Sequence, residues 1–271
     1  MSHLTPTDNV TPDAPNACLI TGAATRLGRV TALAMARAGW DVAIHYRASG
    51  DQANRLAEEI HALGRIAKTF SAELSDPHQT DELFNRACTA FPHLRCIVNN
   101  ASEFHFDRPE NASAQALRAH MEANLIAPSL LTQRLHAHLQ GQHRPGQDPL
   151  GVVIHLLDQK LENPNPDFFS YTLSKAALRE ATRLAAMAFA PVLRVVGIAP
   201  GITLPSADQT EAEFKQSHAM TPLGASSRPH EVADAIVWLA QARAITGTML
   251  LVDGGQHLMA QPRDVMMMVR S

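Results

Sequence analysis

Residues 17–28 read Ala17-Cys18-Leu19-Ile20-Thr21-Gly22-Ala23-Ala24-Thr25-Arg26-Leu27-Gly28, a short apolar run passing straight into a turn of small residues and then a segment of helical period. Small residues let the backbone reverse sharply. The unpaired N–H groups at the helix start then point, with the helix dipole, at an anion such as a pyrophosphate. A glycine-rich turn alone is a weak signal, but its place after the first strand and before the first helix makes this one informative.

Working outward, the chain repeats the alternation. Strands are expected at 17–21, 41–45, 65–70, 96–99, 151–157, 194–198 and 249–252, and helices at 27–38, 51–63, 76–91, 114–140, 171–189 and 230–241. Apolar runs separated by helical segments are the pattern of βαβ units. Right-handed crossovers put helices on both faces of such a sheet when its strand order reverses. The expected fold is α/β: a single-domain doubly wound Rossmann fold with a seven-stranded parallel sheet over 17–258, preceded by a disordered arm at 1–16 and followed by a tail at 259–271, whose apolar 265–269 stretch packs on this or a neighbouring subunit.

Composition narrows the function classes. Of 271 residues, 45% are apolar and 18% charged, and the net charge of −3 comes without any Lys/Arg run. The footprint needed to bind nucleic acid or an anionic membrane is therefore missing, and no stretch nears the ~18 consecutive apolar residues of a membrane span. Cys18, Cys88 and Cys96 form no CxxC pair and read as buried reduced thiols of a cytoplasmic protein. The first sixteen residues lack the basic start and apolar core of a signal peptide. Fourteen histidines are scattered, with no HExxH and no carboxylate cluster, so no metal is expected, and His155 reads as a satisfied core histidine. No GxSxG elbow supports a hydrolase.

The end of the second strand should show which cofactor fits, about 20 residues past the glycines, where an acidic residue would bond an unphosphorylated ribose. Here His45-Tyr46-Arg47-Ala48-Ser49 contains no carboxylate and one arginine, and Asp41 stands at the wrong end of the strand. Arg47 and Ser49 fit a 2′-phosphate, which selects NADPH. In the turn itself, Arg26 replaces a middle glycine; its guanidinium either pairs with pyrophosphate and reaches a substrate, or turns into solvent.

Tyr171-Thr172-Leu173-Ser174-Lys175 places a tyrosine and a lysine four apart, on one face of a helix. The ammonium is expected to lower the phenol's pKa and make Tyr171 a general acid. With these motifs the chain resembles the short-chain dehydrogenase/reductase superfamily from Ala17 to about His257. The resemblance rests on the TGxxxxxG turn, Asn99-Asn100-Ala101, Asn124, Tyr171 and Lys175, Pro200-Gly201, Ile245-Thr246-Gly247 and Asp253-Gly254-Gly255. It implies that Tyr171 donates a proton, that Lys175 assists it and holds the nicotinamide ribose, and that Asn124 supports a water-mediated relay. It also implies that Gly22, Leu27, Gly28, Asn100, Ala101 and Pro200, Gly201 and Ile202 line the cofactor with His45. Glu73-Leu74 would flank the adenine, although relatives usually carry Asp where Glu73 stands.

One departure is informative. Thirteen residues before Tyr171, where the superfamily usually has serine, stands Asp158. A serine can donate to a developing alkoxide, whereas a carboxylate repels it. A substrate with N–H groups, or a nitrogen that becomes protonated, suits Asp158 better; the bland alternative is an aspartate that orients Tyr171 or caps the loop. Together with TGAATRLGR, the HYxxS stretch at 45–49, and Asn99-Asn100-Ala101-Ser102 followed by Phe104, this looks like the pteridine reductase branch. That likeness implies a pterin stacked between Phe104 and the nicotinamide, with Ser102, Arg26, Asp158 and Tyr171 at its edge. It implies reduction of a dihydropterin to a tetrahydropterin, and a homotetramer built through the helices at 114–140 and 171–189 and the last strand. The alternatives are a reductase of another carbonyl or imine, such as a 3-oxoacyl compound, and a catalytically idle NADP-binding regulator.

Overall fold

The computed structural model describes residues 16–205 and 209–269, so the expected arm lies, Asn16 apart, outside the described residues. Seven strands, β1 (Ala17–Ile20), β2 (Asp41–Tyr46), β3 (Ala67–Ser71), β4 (Leu94–Asn99), β5 (Gly151–Leu156), β6 (Leu193–Pro200) and β7 (Met249–Val252), form one sheet in the order β3-β2-β1-β4-β5-β6-β7. Every pairing is parallel. The helices are α1 (Arg26–Arg37), α2 (Gly50–Ala62), α3 (Pro77–Ala90), α4 (Ala114–Met121), α5 (Ala127–Gln140), α6 (Phe169–Phe189), α7 (Glu211–Ala219), α8 (Pro229–Gln241) and α9 (Val265–Met268).

Burial on both faces explains the unbroken apolar strands. Cys18 and Ile20 of β1 face α1, α2 and α8 through Met35, Leu56 and Ile236, while Ala17 and Leu19 face α3, α5 and α6 through Leu83, Leu131 and Ala186. The chain winds outward from β1 to β3, then returns to lay β4 on the other side of β1. This reversal opens a crevice beyond the carboxyl ends of β1 and β4, where ligands bind in open α/β sheets. All three cysteines are free. Burial pushes the Cys88 and Cys96 thiols up to about 12, which leaves them unreactive. Among the described residues no helix is long and apolar enough to cross a membrane.

Two elements differ from the sequence expectation. The helix expected over 114–140 contains a π-helical turn, Glu122–Ile126, between α4 and α5. One extra residue per turn does not disturb the apolar period enough to be read, yet such bulges occur at functional sites, and this one carries Asn124. The segment between β6 and α8, where no helix was expected, contains α7, which opens with a capping box in which Thr210 Oγ1 accepts from the Glu213 N–H at 3.2 Å and Glu213 Oε2 accepts from the Thr210 N–H at 2.7 Å. Its only fully buried residue is Ser217, so it has no apolar stripe to betray it. The segment after 258 packs back onto this chain, one of the two placements expected of its apolar stretch. Asp167 accepts from Arg263 Nε at 2.7 Å and from the Asp264 N–H at 2.9 Å, and α9 buries Met266 against Phe168 and Tyr171.

Candidate active site

The turn at 21–28 sits on the strand reversal and is stitched to β4. Thr21 Oγ1 accepts from the N–H groups of Asn100 and Ala101 at 2.9 and 3.0 Å, and Asn100 Nδ2 donates to the carbonyls of Thr21 and Gly22. Gly22 adopts φ +61°, and a side chain at Gly28 would meet the Gly22 carbonyl oxygen at 2.2 Å. Both glycines are thus required by backbone approach. The N–H groups of Arg26, Leu27 and Gly28 in the first turn of α1 have no acceptor within the helix and face a cleft of ≈ 590 Å³, inside the roughly 300–1,000 Å³ range of small-molecule sites. Among the described residues, two non-glycine residues have left-handed backbone: Arg26 (φ 52°), which lines this cleft, and Phe168 (φ 55°), which stacks behind the cleft residue Phe104. Such strain costs on the order of 1–3 kcal/mol each and concentrates at functional sites. The Arg26 side chain is exposed, and its Nη2 donates to the Pro205 carbonyl at 2.7 Å, across to the segment after β6.

At the far end of the cleft, His45 organises the turn from beneath. Its Nδ1 accepts from the Gly22 N–H at 3.0 Å and its Nε2 donates to the Ala72 carbonyl at 3.1 Å, so the ring is neutral, and burial lowers its pKa to about 4. Arg47 is exposed at the rim, with Nη1 3.8 Å from both Glu73 and Glu103 carboxylates. Glu73 also accepts from the Ser75 N–H. Ser49 and Leu74 line the same end. Asp41 belongs elsewhere: it is fully buried at the start of β2, bonded to Arg65, the Ile66 N–H and His93.

At the other end of the cleft, Tyr171 on α6 donates its hydroxyl to Asp158 Oδ2 at 2.9 Å, and Asp158 Oδ1 accepts from the Lys160 N–H at 2.8 Å in the 3₁₀ turn Gln159–Leu161. Asp158 therefore both caps that turn and engages Tyr171. The expectation that Lys175 lowers the phenol's pKa is corrected. Burial pushes the Tyr171 phenol well above its usual value and the Asp158 carboxylate pushes it further. Lys175 does not outweigh these two effects: its ammonium donates to the Leu156 carbonyl at 2.7 Å and lies 5.6 Å from the centre of the Tyr171 ring. Its own pKa falls to about 8 through burial, with Asp158 opposing. Burial likewise raises the Asp158 pKa, against the Lys160 N–H, the Tyr171 hydroxyl and the Lys160 charge. Tyr171 is held as the neutral phenol, the form that can give a proton.

Phe104 stacks one face on Phe168, with centroids 4.4 Å apart, and meets Tyr171 edge-on at 4.7 Å. It is 43% exposed and lines the cleft with Ser102, which leaves its other face open there. Asn124 does not reach the cleft. Its side chain makes all four bonds it can make: Oδ1 accepts from the Glu103 N–H and the Ser102 hydroxyl, and Nδ2 donates to the Glu103 carbonyl and to Ser174 Oγ. Ser174 in turn donates to the Tyr171 carbonyl at 2.7 Å. The π-helical turn thus makes Asn124 a brace between the Phe104 loop and the first turn of α6, which carries Tyr171, with all of its side-chain bonding taken up there. Pro200 and Gly201 line the cleft, but Ile202 does not, its N–H bonding to Gln256. His155 is a core residue bonded to Thr132 and Thr182, its pKa lowered to about 3 by burial and by the Lys175 charge.

Sequence reading missed three residues at the site. Glu103 pairs with Arg47 and His105. Phe168 backs Phe104, and Asp107 caps α6 by accepting from the Ser170 N–H at 3.0 Å and from the Ser170 hydroxyl. Of the three, only Asp107 had a signal, a short acidic side chain ahead of a helix, and its distance in sequence hid it.

A doubly wound parallel sheet with a glycine turn at its strand reversal, and a tyrosine and lysine facing that turn, defines a nucleotide-dependent oxidoreductase. Residues 22–257 match the family described as enoyl-(acyl carrier protein) reductase, and the chain belongs to this branch of the short-chain dehydrogenase/reductase superfamily. It is similar to the solved structure of FolM alternative dihydrofolate reductase 1 from Brucella suis in complex with NADP, at 35% identity and TM-score 0.84 over 91% of this chain and 96% of that one. It is 31% identical to pteridine reductase 1 of Leishmania tarentolae over 91% of this chain and 98% of the relative. It is also 29% identical to the L-rhamnose 1-dehydrogenase (NAD(P)(+)) of a Sphingomonas strain, over 90% and 96% of the two chains. Overall likeness therefore spans different substrates, and the cleft must discriminate among them.

Proposed function

We propose that the protein is an NADPH-dependent pterin reductase that converts a dihydropterin to its tetrahydro form. The observation that carries this reading is the Asp158 carboxylate at the end of β5, hydrogen-bonded to Tyr171 and set beside the open face of Phe104. A flat heterocycle fits between that face and the nicotinamide, a stacking worth about 0.5–1.5 kcal/mol beyond burial by analogy with aromatic pairs. Bound NADPH supplies the hydride. Asp158 accepts N–H groups at the heterocycle's edge and favours positive charge on a C=N nitrogen as its carbon is reduced. Tyr171 releases its phenolic proton to that nitrogen. The Lys175 ammonium, beside the Tyr171 ring, opposes the negative charge left behind.

The residues present fit the cofactor. Gly22 and Gly28 allow the tight backbone approach that holds the turn with its N–H groups at the cleft, and His45 to Ser49 at the end of β2 carry no acidic side chain. Arg47, among the carboxylates of Glu73 and Glu103, offers the guanidinium for a 2′-phosphate. The Brucella relative, solved with NADP, supports the same choice.

The test is nicotinamide oxidation by purified protein with NADPH and NADH in parallel, offered dihydromonapterin, dihydrobiopterin, dihydrofolate, simple ketones and 3-oxoacyl thioesters. Turnover of pterins with NADPH is expected; turnover of ketones alone would overturn the substrate assignment. In the same assay Arg47→Ala is expected to raise the KM for NADPH by about tenfold, the loss of one charge-assisted bond, and to leave that for NADH unchanged. Equal changes would remove the phosphate contact.

The assembly is a homotetramer, and the cytoplasm is the compartment its three free cysteines fit. What supports the tetramer is exposed apolar surface on two helices: Leu184 and Met187 of α6 are 65% and 78% exposed, and Trp238 of α8 is 52% exposed. Light scattering is expected to show four chains for the wild type and fewer for Met187→Glu; a monomeric wild type would overturn it.

A further inference from the structure

Behind the hydrogen-bonded Asp158–Tyr171 pair lies an ion pair that the reaction does not touch. Lys160 is 4% exposed, and its Nζ donates to Asp264 Oδ2 at 3.1 Å and stands 5.3 Å from the centre of the Phe168 ring. Burying an ammonium is costly unless it is paired, and an apolar side chain would fill this space without that cost. The charge has a geometric use. The Lys160 backbone N–H already holds Asp158 Oδ1, which puts the lysine and that carboxylate on the same turn. Asp264, which the sequence places in a tail, is delivered here because Asp167 grips Arg263 and the Asp264 N–H.

We propose that Lys160 and Asp264 are positioning residues for proton transfer: the buried ammonium of Lys160 keeps Asp158 ionised against Tyr171, and the C-terminal segment, through Asp264, limits how strongly it does so. The inference rests on the reading of Asp158 and Tyr171 as the proton-handling pair. The charged and titratable groups around Asp158 are Tyr171 and Lys175 from α6, Lys160 from the 3₁₀ turn, and Asp264 from the C-terminal segment. One layer out, Asp167 carries Arg263 and lies 3.7 Å from Arg108. Lys160 favours the carboxylate form of Asp158, and Asp264 disfavours it. Removing each charge therefore moves the Asp158 titration in opposite directions, a result that mere loosening of structure does not produce.

The experiment is the pH profile of turnover by the full chain, with Asp158→Asn used to identify the limb that belongs to Asp158. Lys160→Met is expected to move that limb to higher pH and Asp264→Asn to lower pH, both with the KM for NADPH unchanged. Asn retains the side-chain oxygen that accepts from the Met266 N–H at 3.1 Å, so Asp264→Asn keeps α9 capped and stands even where Lys160→Met does not fold. Shifts of the same sign, or none, would overturn the proposal. Should pterins not be reduced, the profile is run on whichever carbonyl compound is turned over, which separates the two readings. A readout free of turnover is the tyrosinate absorbance in a Tyr46→Phe background, where Tyr171 is the one tyrosine left. Asp264→Asn is expected to lower its midpoint, because the Asp264 charge raises the phenol's pKa, and an unmoved midpoint would overturn the coupling.

Discussion

Tyr171→Phe is expected to cut turnover by about 10²–10⁴-fold, the usual worth of a positioned general acid, and to leave NADPH binding intact. The hydroxyl's hydrogen bond is to Asp158 Oδ2, while the ring is held by Phe104 edge-on and by Phe168 and Met266. Phenylalanine keeps those ring contacts. The catalytic loss should therefore appear in kcat, with a stability cost of roughly 1.5–3 kcal/mol for the missing bond to a charged group. Steady-state NADPH oxidation, a fluorescence titration of NADPH and a thermal melt separate the three quantities. Turnover at the wild-type level would remove Tyr171 as the acid and pass the role to another group in the cleft. Because burial and Asp158 both raise the phenol's pKa, Tyr171 stays protonated through neutral pH, and its own ionisation sets no limit on reduction there.

What the sequence made legible was local. The run from Ala17 to Gly28 announces strand, turn and helix within one window, and the small residues at Gly22 and Gly28 have the close contacts their spacing suggests. The doubly wound parallel sheet followed from the alternation and the handedness of crossovers; the order of its strands is set by the fold. What stayed hidden is held by partners distant in the chain. Asn124 reads as a helix residue; only the fold shows that one extra residue in the turn swings it to brace Glu103 and Ser174. Phe168 begins α6 in a left-handed conformation with no cap of its own, and Asp107 supplies the cap from before α4. Arg47 reads as a free cation, yet Glu103, 56 positions on, meets it. The pairing of Tyr171 with Lys175 was visible from spacing, but the direction of the tyrosine's pKa was not, because spacing carries no information on burial or on where the ammonium's hydrogen bond goes.

Asp158→Ser tests what distinguishes this cleft from the superfamily's usual one. A serine oxygen can still cap the 3₁₀ turn by accepting from the Lys160 N–H and still lies within reach of Tyr171, so the wall of the cleft is expected to stand. The charge is what changes. Two like charges about 4 Å apart repel by about 4 kcal/mol at an effective dielectric of 20, close to a thousandfold in rate, and an alkoxide forming beside Asp158 meets that repulsion. Removing it is expected to raise turnover of a simple ketone. The same change deprives a pterin of its charged acceptor, so kcat/KM for the dihydropterin is expected to fall by about 10²-fold, within the range for losing one well-placed electrostatic contact in an active site. The variant should thus invert the ratio of the two activities, measured side by side with NADPH, rather than lower both. Were both to fall together, Asp158 would be acting through the placement of Tyr171 alone, and selection of the substrate would have to come from Phe104, Ser102 and Arg26.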